Sequence, residues 1–400
     1  LDRLRNMEEV SLSKKQAEFL TAVLERKNIF LTGKAGTGKS FIVKKAMEVL
    51  KSNGKKVVAI APTGVAANNV GGQTIHSLFS ISPFGICSFE SSNFLRGEKR
   101  KLLEAIDTIF IDEVSMLRPD ILDAMNWTLL RNGCPGLETK QIIFIGDLAQ
   151  LPAVLQDNTR SVLYQTYDGD EFFFAKCYGK LGVHKIELDE ILRQSNPDFI
   201  DALNIVRDGG KDEYFRQFVS KEPKGIILAP HNSTVDKYNK EGLDAIQSEE
   251  FKFVATVTGN VKADDFKLET IVRVKNGAKI MYLANSKDAP LVNGTLGIFI
   301  THNDCHYIRV NGVDYALKRL LFTKKEYVLD KKTNTLELED IGSIEQYPIR
   351  LAYALSIHKS QGLTFDEVTI DLSRPCFTKG QMYVALSRVT SPEGLRIIVK

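Results

Sequence analysis

The chain has 400 residues, 43% of them hydrophobic, and its 53 lysines and arginines nearly balance 50 aspartates and glutamates, for a formal charge of +3. That length points to two or three domains with ordinary globular cores. The charge excludes a surface coated in basic residues, though not a basic channel with acidic faces elsewhere.

No run reaches the length of a membrane span and no signal-peptide pattern opens the chain, which begins at Leu1 rather than Met, so segments can precede it. The cysteines, Cys87, Cys134, Cys177, Cys305 and Cys376, are scattered and never spaced as C-x-x-C. That pattern fits a reducing compartment and argues against a zinc site or a disulfide framework.

The first half alternates short apolar runs with helical patterns. Strands are expected at 28–32, 56–61, 108–111 and 141–145, with helices at 39–50 and 63–70. Such alternation predicts a parallel sheet covered on both faces, with ligands at the carboxyl ends of its strands. A second α/β pattern is expected to begin near Lys185, with strands at 226–229, 368–371 and 395–399 and a helix at 381–388. Between these, residues 269–349 are rich in β-branched and aromatic residues, broken by Asn276-Gly277, Asn293-Gly294, Asn311-Gly312 and Ile341-Gly342. Those dipeptides read as hairpin turns, which predicts a small antiparallel barrel inserted in the second lobe. The expected class is therefore α/β, with lobes at 1–184 and 185–400.

Gly33-Lys34-Ala35-Gly36-Thr37-Gly38-Lys39-Ser40 fits the pattern G-x-x-x-x-G-K-[ST] between a strand and a helix. Gly33, Ala35, Gly36, Thr37 and Gly38 would wrap backbone N–H groups around phosphates at a helix N-terminus. Lys39 would reach the β- and γ-phosphates of ATP, and the Ser40 hydroxyl would bind Mg²⁺. Asp112, ending the run Ile109-Phe110-Ile111, is the expected metal carboxylate, and Glu113 the acid that orients or deprotonates water. Gln150, in Gly146-Asp147-Leu148-Ala149-Gln150-Leu151-Pro152, can sense the γ-phosphate. Gln16 can read the edge of adenine bidentately; the alternative is an exposed helical glutamine.

In order along the chain, these motifs resemble superfamily-one helicases, the Pif family most closely and RecD helicases next. The resemblance rests on Ala61-Pro62-Thr63-Gly64-Val65, Thr74-Ile75-His76-Ser77, the signature Glu113-Val114-Ser115-Met116-Leu117-Arg118-Pro119-Asp120-Ile121-Leu122, and Leu192-Arg193-Gln194. It extends to Ser356-Ile357-His358-Lys359-Ser360-Gln361-Gly362 and Tyr383-Val384-Ala385-Leu386-Ser387-Arg388. It implies two RecA-like lobes with ATP between them, a wedge insertion at about 80–101, a β-barrel at about 269–349, and 5′-to-3′ movement on single-stranded DNA. Arg193 and Arg388 would face the γ-phosphate, with Gln361 and Gly362 near it.

Thr63, His76, His358 and Lys359 would grip the DNA backbone. Phe84 and Phe89, among the aromatics and basics of residues 82–101, would stack on bases; the alternative there is a small satellite core. The implied partners are single-stranded DNA and duplex junctions, with G-quadruplexes and RNA–DNA hybrids as further candidates, and no membrane. The chain is expected to be monomeric without DNA and intracellular, in a bacterial cytoplasm, with nucleus or mitochondrion as alternatives. The same resemblance implies roles in DNA repair, recombination and telomere maintenance.

Other readings fit less of the chain. A RecD-like motor of a recombination nuclease would need its nuclease from a partner. A GTPase needs Asn-Lys-x-Asp, and Asn239-Lys240-Glu241-Gly242 lacks the Asp. A small-molecule kinase needs no second lobe. A nucleotide-switched DNA-binding protein would not need Glu113 and Gln150.

Overall fold

A strand that is apolar at every position is stable only between two covered faces. The computed structural model, which describes residues 12–34, 36–82, 85–95, 97–153, 155, 157–189, 196–286, 288–303, 305–330 and 332–399, places the apolar runs of the first half in that way. The chain divides into two units. One comprises Leu1–Leu148, Ala153–Arg193 and Glu326–Glu339; the other comprises Ala149–Pro152, Gln194–Lys325 and Asp340–Lys400.

In the first unit the strands are β1 (Ile29–Gly33), β2 (Val57–Ala61), β3 (Gln73–Thr74), β4 (Thr108–Ile111), β5 (Gln141–Ile145) and β6 (His184–Leu188). Among the described residues they form one parallel sheet in the order β3-β2-β4-β5-β1-β6. Residues 184–188, expected to open the second lobe, instead pair with β1 as the edge of this sheet.

The helices include α1 (Lys14–Leu24), α2 (Lys39–Ser52), α3 (Gly64–Val70), α4 (Ile75–Phe79), α5 (Glu98–Ala105) and α6 (Pro119–Arg131), and a further helix spans Asp157–Leu163. Successive strand residues point to opposite faces, and the cores follow that rule. Ile109, Ile111, Ile142 and Phe144 pack with α4 and α6 residues such as Phe79 and Leu122. Phe110, Ile143 and Ile145 pack on the other face with Phe19 of α1 and Ile42 of α2.

In the second unit, β7 (Ile226–Ala229), β18 (Ala354–Ser356), β19 (Val368–Asp371) and β20 (Leu395–Ile398) form a parallel sheet in the order β18-β7-β19-β20. Its helices are α7 (Pro197–Arg207), α8 (Asn232–Asp244) and α9 (Gln381–Leu386).

The inserted part is antiparallel. It contains β8 (Glu250–Val254), β9 (Thr256–Gly259), β10 (Ile271–Lys275), β11 (Lys279–Tyr282), β12 (Leu296–His302), β13 (Cys305–Val310), β14 (Val313–Ala316), β15 (Leu320–Leu329), β16 (Leu336–Gln346) and β17 (Ile349–Leu351). Their sheets run β14-β13-β12-β11-β17, β10-β8 and β15-β16-β9. Val272, Val274, Ile280, Phe299, Ile308 and Ile349 share one core.

Asn311-Gly312 makes the expected two-residue hairpin turn, both residues at positive φ of 50° and 81°. Ile341-Gly342 does not. It lies inside β16, where Gly342 pairs with Gly259 of β9. A side chain on Gly342 would meet the Thr258 carbonyl oxygen and the Asn260 amide, both at 2.9 Å. The glycine there permits close approach of two strands rather than a turn. The insertion also starts earlier than expected, because β8 and β9 precede residue 269.

The tip of the β15–β16 hairpin belongs to the first unit. There Tyr327 is 4% exposed, its hydroxyl accepts the Ala59 N–H at 3.0 Å, and its own N–H donates to Gln73 Oε1 at 2.6 Å. Because β3 starts opposite Ile60, it does not reach the Ala59 amide, and the tyrosine satisfies it instead. Among the described residues no helix is long and apolar enough to cross a membrane.

Candidate nucleotide and DNA sites

The first unit gathers its chemistry at the carboxyl ends of β1 and β4. Gly36 and Gly38 take positive φ of 84° and 79°, a bend that side chains with a Cβ resist, and α2 begins immediately after at Lys39. The Lys39 ammonium donates to the carbonyls of Gly33 at 2.7 Å and Lys34 at 3.0 Å, and the Thr37 hydroxyl donates to Lys34 O at 3.0 Å. Ser40, on the first turn of α2, lines a cavity of about 490 Å³ together with Asp112, Asn68 and Ile145. Ala35 lies outside the described residues.

At the end of β4 the Glu113 N–H donates to Asp112 Oδ1 at 2.9 Å. Burial pushes the Asp112 carboxyl above its ordinary range, opposed by that N–H and by the Lys39 charge. Glu113 itself sits in the left-handed region, at φ +52° and ψ +47°, which costs a non-glycine residue about 1–2 kcal/mol. Cradle, ammonium, hydroxyl and carboxylate together fit a magnesium–triphosphate group, so the residues present suit the expected ligand.

Gln16 is 7% exposed rather than a surface residue. Its Oε1 accepts the Ser13 N–H at 3.1 Å while Ser13 Oγ accepts the Gln16 N–H at 3.3 Å, a capping box for α1. A bidentate reading of adenine would share that oxygen.

The second unit brings Gln150, Gln361 and Arg388 together from three motifs. Gln361 Nε2 donates to Gln150 Oε1 at 3.3 Å. Gly362 follows at φ +83°. Arg388 lies just past the end of α9, 2% exposed. Its guanidinium donates to Val384 O at 2.8 Å, Leu363 O at 3.0 Å and Ser387 Oγ at 2.7 Å. It thereby ties the last motif to the backbone that follows Gln361. Gly380, where a side chain would meet the Ala149 carbonyl oxygen at 2.6 Å and that of Gln150 at 2.5 Å, lets the loop before α9 lie against the same segment. Arg193 lies outside the described residues.

Of the expected DNA contacts, Thr63 caps α3 by accepting the Ala66 N–H at 3.2 Å. His76 is on α4, its pKa held below the ordinary value by burial and then by the Arg118 guanidinium, against the pull of Asp120. His358 is held low by burial, and its Nε2 is buried without a hydrogen-bond partner among the described residues. Both imidazoles therefore favour the neutral form near neutral pH and meet DNA as hydrogen-bonding groups more than as cations. The exposed ring of Phe377 lies 6.3 Å from His358 and 5.0 Å from His231. Lys359 is exposed.

Phe84 lies outside the described residues. Phe89 and Phe94 are 45% and 69% exposed, on the segment between α4 and α5. The Arg131 guanidinium lies 4.5 Å from the Phe94 ring centre and 5.5 Å from that of Phe89, and donates to Phe89 O at 2.6 Å. Asn132 accepts the Leu95 N–H at 2.6 Å. Asp120, fully buried, accepts from Arg118 and from the Cys87 N–H at 2.9 Å. Sequence reasoning missed Arg131, Asn132 and Asp120 as anchors of this segment. The signal available was the pair of aspartates, Asp120 and Asp123, set among the apolar residues of 119–125, because a buried acid demands a partner.

Residues 11–216 match the model of the PIF1-like helicases. The chain is 30% identical to the ATP-dependent DNA helicase Pif1 of Bdellovibrio bacteriovorus, over 99% of this chain and 89% of that protein. Its fold is similar to a crystal structure of Bacteroides sp. Pif1 in complex with ADP-AlF4, with a TM-score of 0.86 and 32% identity over 98% and 95% of the two chains. It is also similar to Bacteroides Pif1 bound to single-stranded DNA, with a TM-score of 0.69 and 33% identity over 97% and 92%. The chain belongs to the PIF1-like helicases and is an ATP-dependent DNA helicase.

Proposed function

We propose that this helicase moves 5′ to 3′ along single-stranded DNA and separates duplex strands ahead of it. The observation that carries the hydrolytic half is the pair at the end of β4. Asp112 accepts a hydrogen bond from the Glu113 amide, and Glu113 holds a left-handed backbone, a strain of the kind that clusters at active sites.

Ser40 and Asp112 are the proposed holders of Mg²⁺, which supplies charge neutralisation of the phosphates when bound. Lys39 steadies the β- and γ-phosphates, and Glu113 orients the attacking water and takes its proton. Gln150, Gln361, Arg193 and Arg388 are the proposed γ-phosphate responders of the remaining motifs, and Gln16 the proposed adenine reader.

Thr63, His76, His358 and Lys359 are the proposed backbone contacts on DNA, and Phe84, Phe89 and Phe94 the proposed wedge. Movement follows if ATP changes how firmly each unit grips one strand. Base stacking averages about 1.4 kcal/mol per step, so each opening must be coupled to hydrolysis rather than left to thermal fraying.

The test is strand displacement on 5′-tailed, 3′-tailed and blunt duplexes with ATP and Mg²⁺. Opening of the 5′-tailed duplex alone is expected; efficient opening of only the 3′-tailed duplex would reverse the assignment of direction.

A further inference from the structure

The second unit holds a polar cavity of about 530 Å³ whose lining residues, Lys359 apart, have no role above. It is lined by Arg350 of β17, Lys359, Lys262, Asp264 and Glu269, among others. Three cations thus face two carboxylates. Arg350 is 4% exposed, and its Nη1 is buried with no hydrogen-bond partner among the described residues. Its Nη2 lies 3.7 Å from Glu269 Oε1, beyond hydrogen-bond range.

A buried guanidinium left half-satisfied is costly, and its planar fork suits oxyanions. Burial lowers the Arg350 pKa, with Glu269 and Asp264 opposing. Partial burial and then the nearby Arg350 charge lower that of Lys359, with Glu269, Asp264 and Asp236 opposing. The two cations repel each other and would be relieved by an anion. The same loop touches the motor: Lys267 Nζ donates to the carbonyls of Lys359 at 3.5 Å and Gln361 at 3.4 Å.

We propose that this cavity is a phosphate-binding site, in which Arg350, with Lys359 and Lys262, takes a backbone phosphate of the strand that the helicase tracks on. The inference rests on the DNA-tracking reading and extends the grip of Lys359 to Arg350 and Lys262, which lie outside the helicase motifs. Free inorganic phosphate, a product of turnover, presents the same tetrahedral oxyanion and is the competing source.

Arg350→Met removes the fork while keeping an apolar stem, and Lys262→Glu reverses an exposed charge without touching the core. Single-strand affinity is measured against salt for the native chain and both variants. Each variant should bind on the order of tenfold more weakly, with a salt slope shallower by about 0.7 for each phosphate no longer neutralised. Melting is measured in parallel in inorganic phosphate against chloride at matched ionic strength. A phosphate-dependent rise in melting temperature that Arg350→Met abolishes, with DNA slopes unchanged, would keep the site and assign it to free phosphate.

Unchanged salt slopes and unchanged phosphate response in both variants would overturn it. If Arg350→Met does not fold, Lys262→Glu decides by the same two readouts. DNA stimulation of ATP turnover in the native chain is the separate control. Its absence would sink the DNA-tracking reading itself, whereas its presence with unaltered slopes would sink only the phosphate site.

Discussion

The side-chain amide of Gln361 donates to the side-chain oxygen of Gln150 at 3.3 Å, joining the segment that follows β5 to the loop that follows β18. A hydrogen bond between two neutral amides contributes only about 0.5–1.5 kcal/mol, so its value lies in making the two loops respond together. Gln150→Ala and Gln361→Ala should each reduce DNA-stimulated ATP turnover by about tenfold. DNA affinity should change little. The double variant should be no worse than either single one, and simple additivity in a kinetic double-mutant cycle would show that the pair does not act as a unit.

Glu113 offers a split between stability and activity. Glu113→Gln should keep ATP binding and lose turnover by roughly 10²–10⁴. Glu113→Gly should also lose turnover, yet resist urea better by up to about 1 kcal/mol, because the left-handed strain it relieves outweighs the chain entropy glycine loses on folding. Lys39→Ala should weaken both binding and turnover. Nucleotide titrations, phosphate release and urea midpoints measure the three effects, and near-normal turnover in Glu113→Gln would remove it as the base.

Arg388 should fail in two ways at once. Its side chain donates to three backbone carbonyls and a hydroxyl, so Arg388→Ala should destabilise the chain by about 1–3 kcal/mol for each buried acceptor left unsatisfied. If it also faces the γ-phosphate during turnover, DNA-stimulated kcat should fall by roughly 10³–10⁵. Thermal melting run beside the ATPase assay separates the two, and normal hydrolysis in a folded Arg388→Ala would exclude the catalytic role.

The low pKa values of His76 and His358 set the sign of a pH effect. The unfolded chain, with histidines near 6.5, binds more protons than the folded chain once the pH falls below that value. Their contribution is therefore full above about pH 6.5 and declines as acid is added. Urea denaturation between about pH 7.5 and pH 5.5 should show a shallower loss of stability in His358→Gln than in the native chain. A steeper loss would mean that His358 is protonated in the fold.

Phe94 carries the test of strand separation. Its exposed ring lies under the Arg131 guanidinium, a contact that contributes about 0.5–1 kcal/mol at an exposed site. Phe94→Ala and Arg131→Gln should both impair duplex opening more than single-strand-stimulated ATP turnover. Equal loss of both activities would show that this segment does not act as a wedge.

The parts read best from sequence were those whose chemistry is local. Residues 108–111, 141–145, 226–229 and 368–371 are strands at the expected bounds, because a buried parallel strand leaves an unbroken apolar run. Lys39 and Ser40 open the helix after β1, and Asp112 and Glu113 follow β4, because phosphate chemistry demands those types at that spacing. What stayed hidden depends on distant partners. Gly342 looks like a turn glycine until β9 lies across it. Strand β8, only partly buried, shows no apolar run. Nothing near Tyr327 signals that it will satisfy an amide of β2, and Arg350 gives no hint in sequence that half its guanidinium is left over.

The docked tip of the β15–β16 hairpin also decides what a protease can do. The backbone passes from one unit to the other at 148/149, 152/153, 193/194, 325/326 and 339/340, so the units are interlaced rather than strung in series. A single nick at 193/194 would leave the downstream fragment holding Tyr327, a piece of the first unit's interior, and the upstream fragment holding Leu151, a piece of the second unit's interior. Each fragment is incomplete without the other. The two halves of this chain are therefore not expected to serve as cassettes that can be cut apart, exchanged or produced alone.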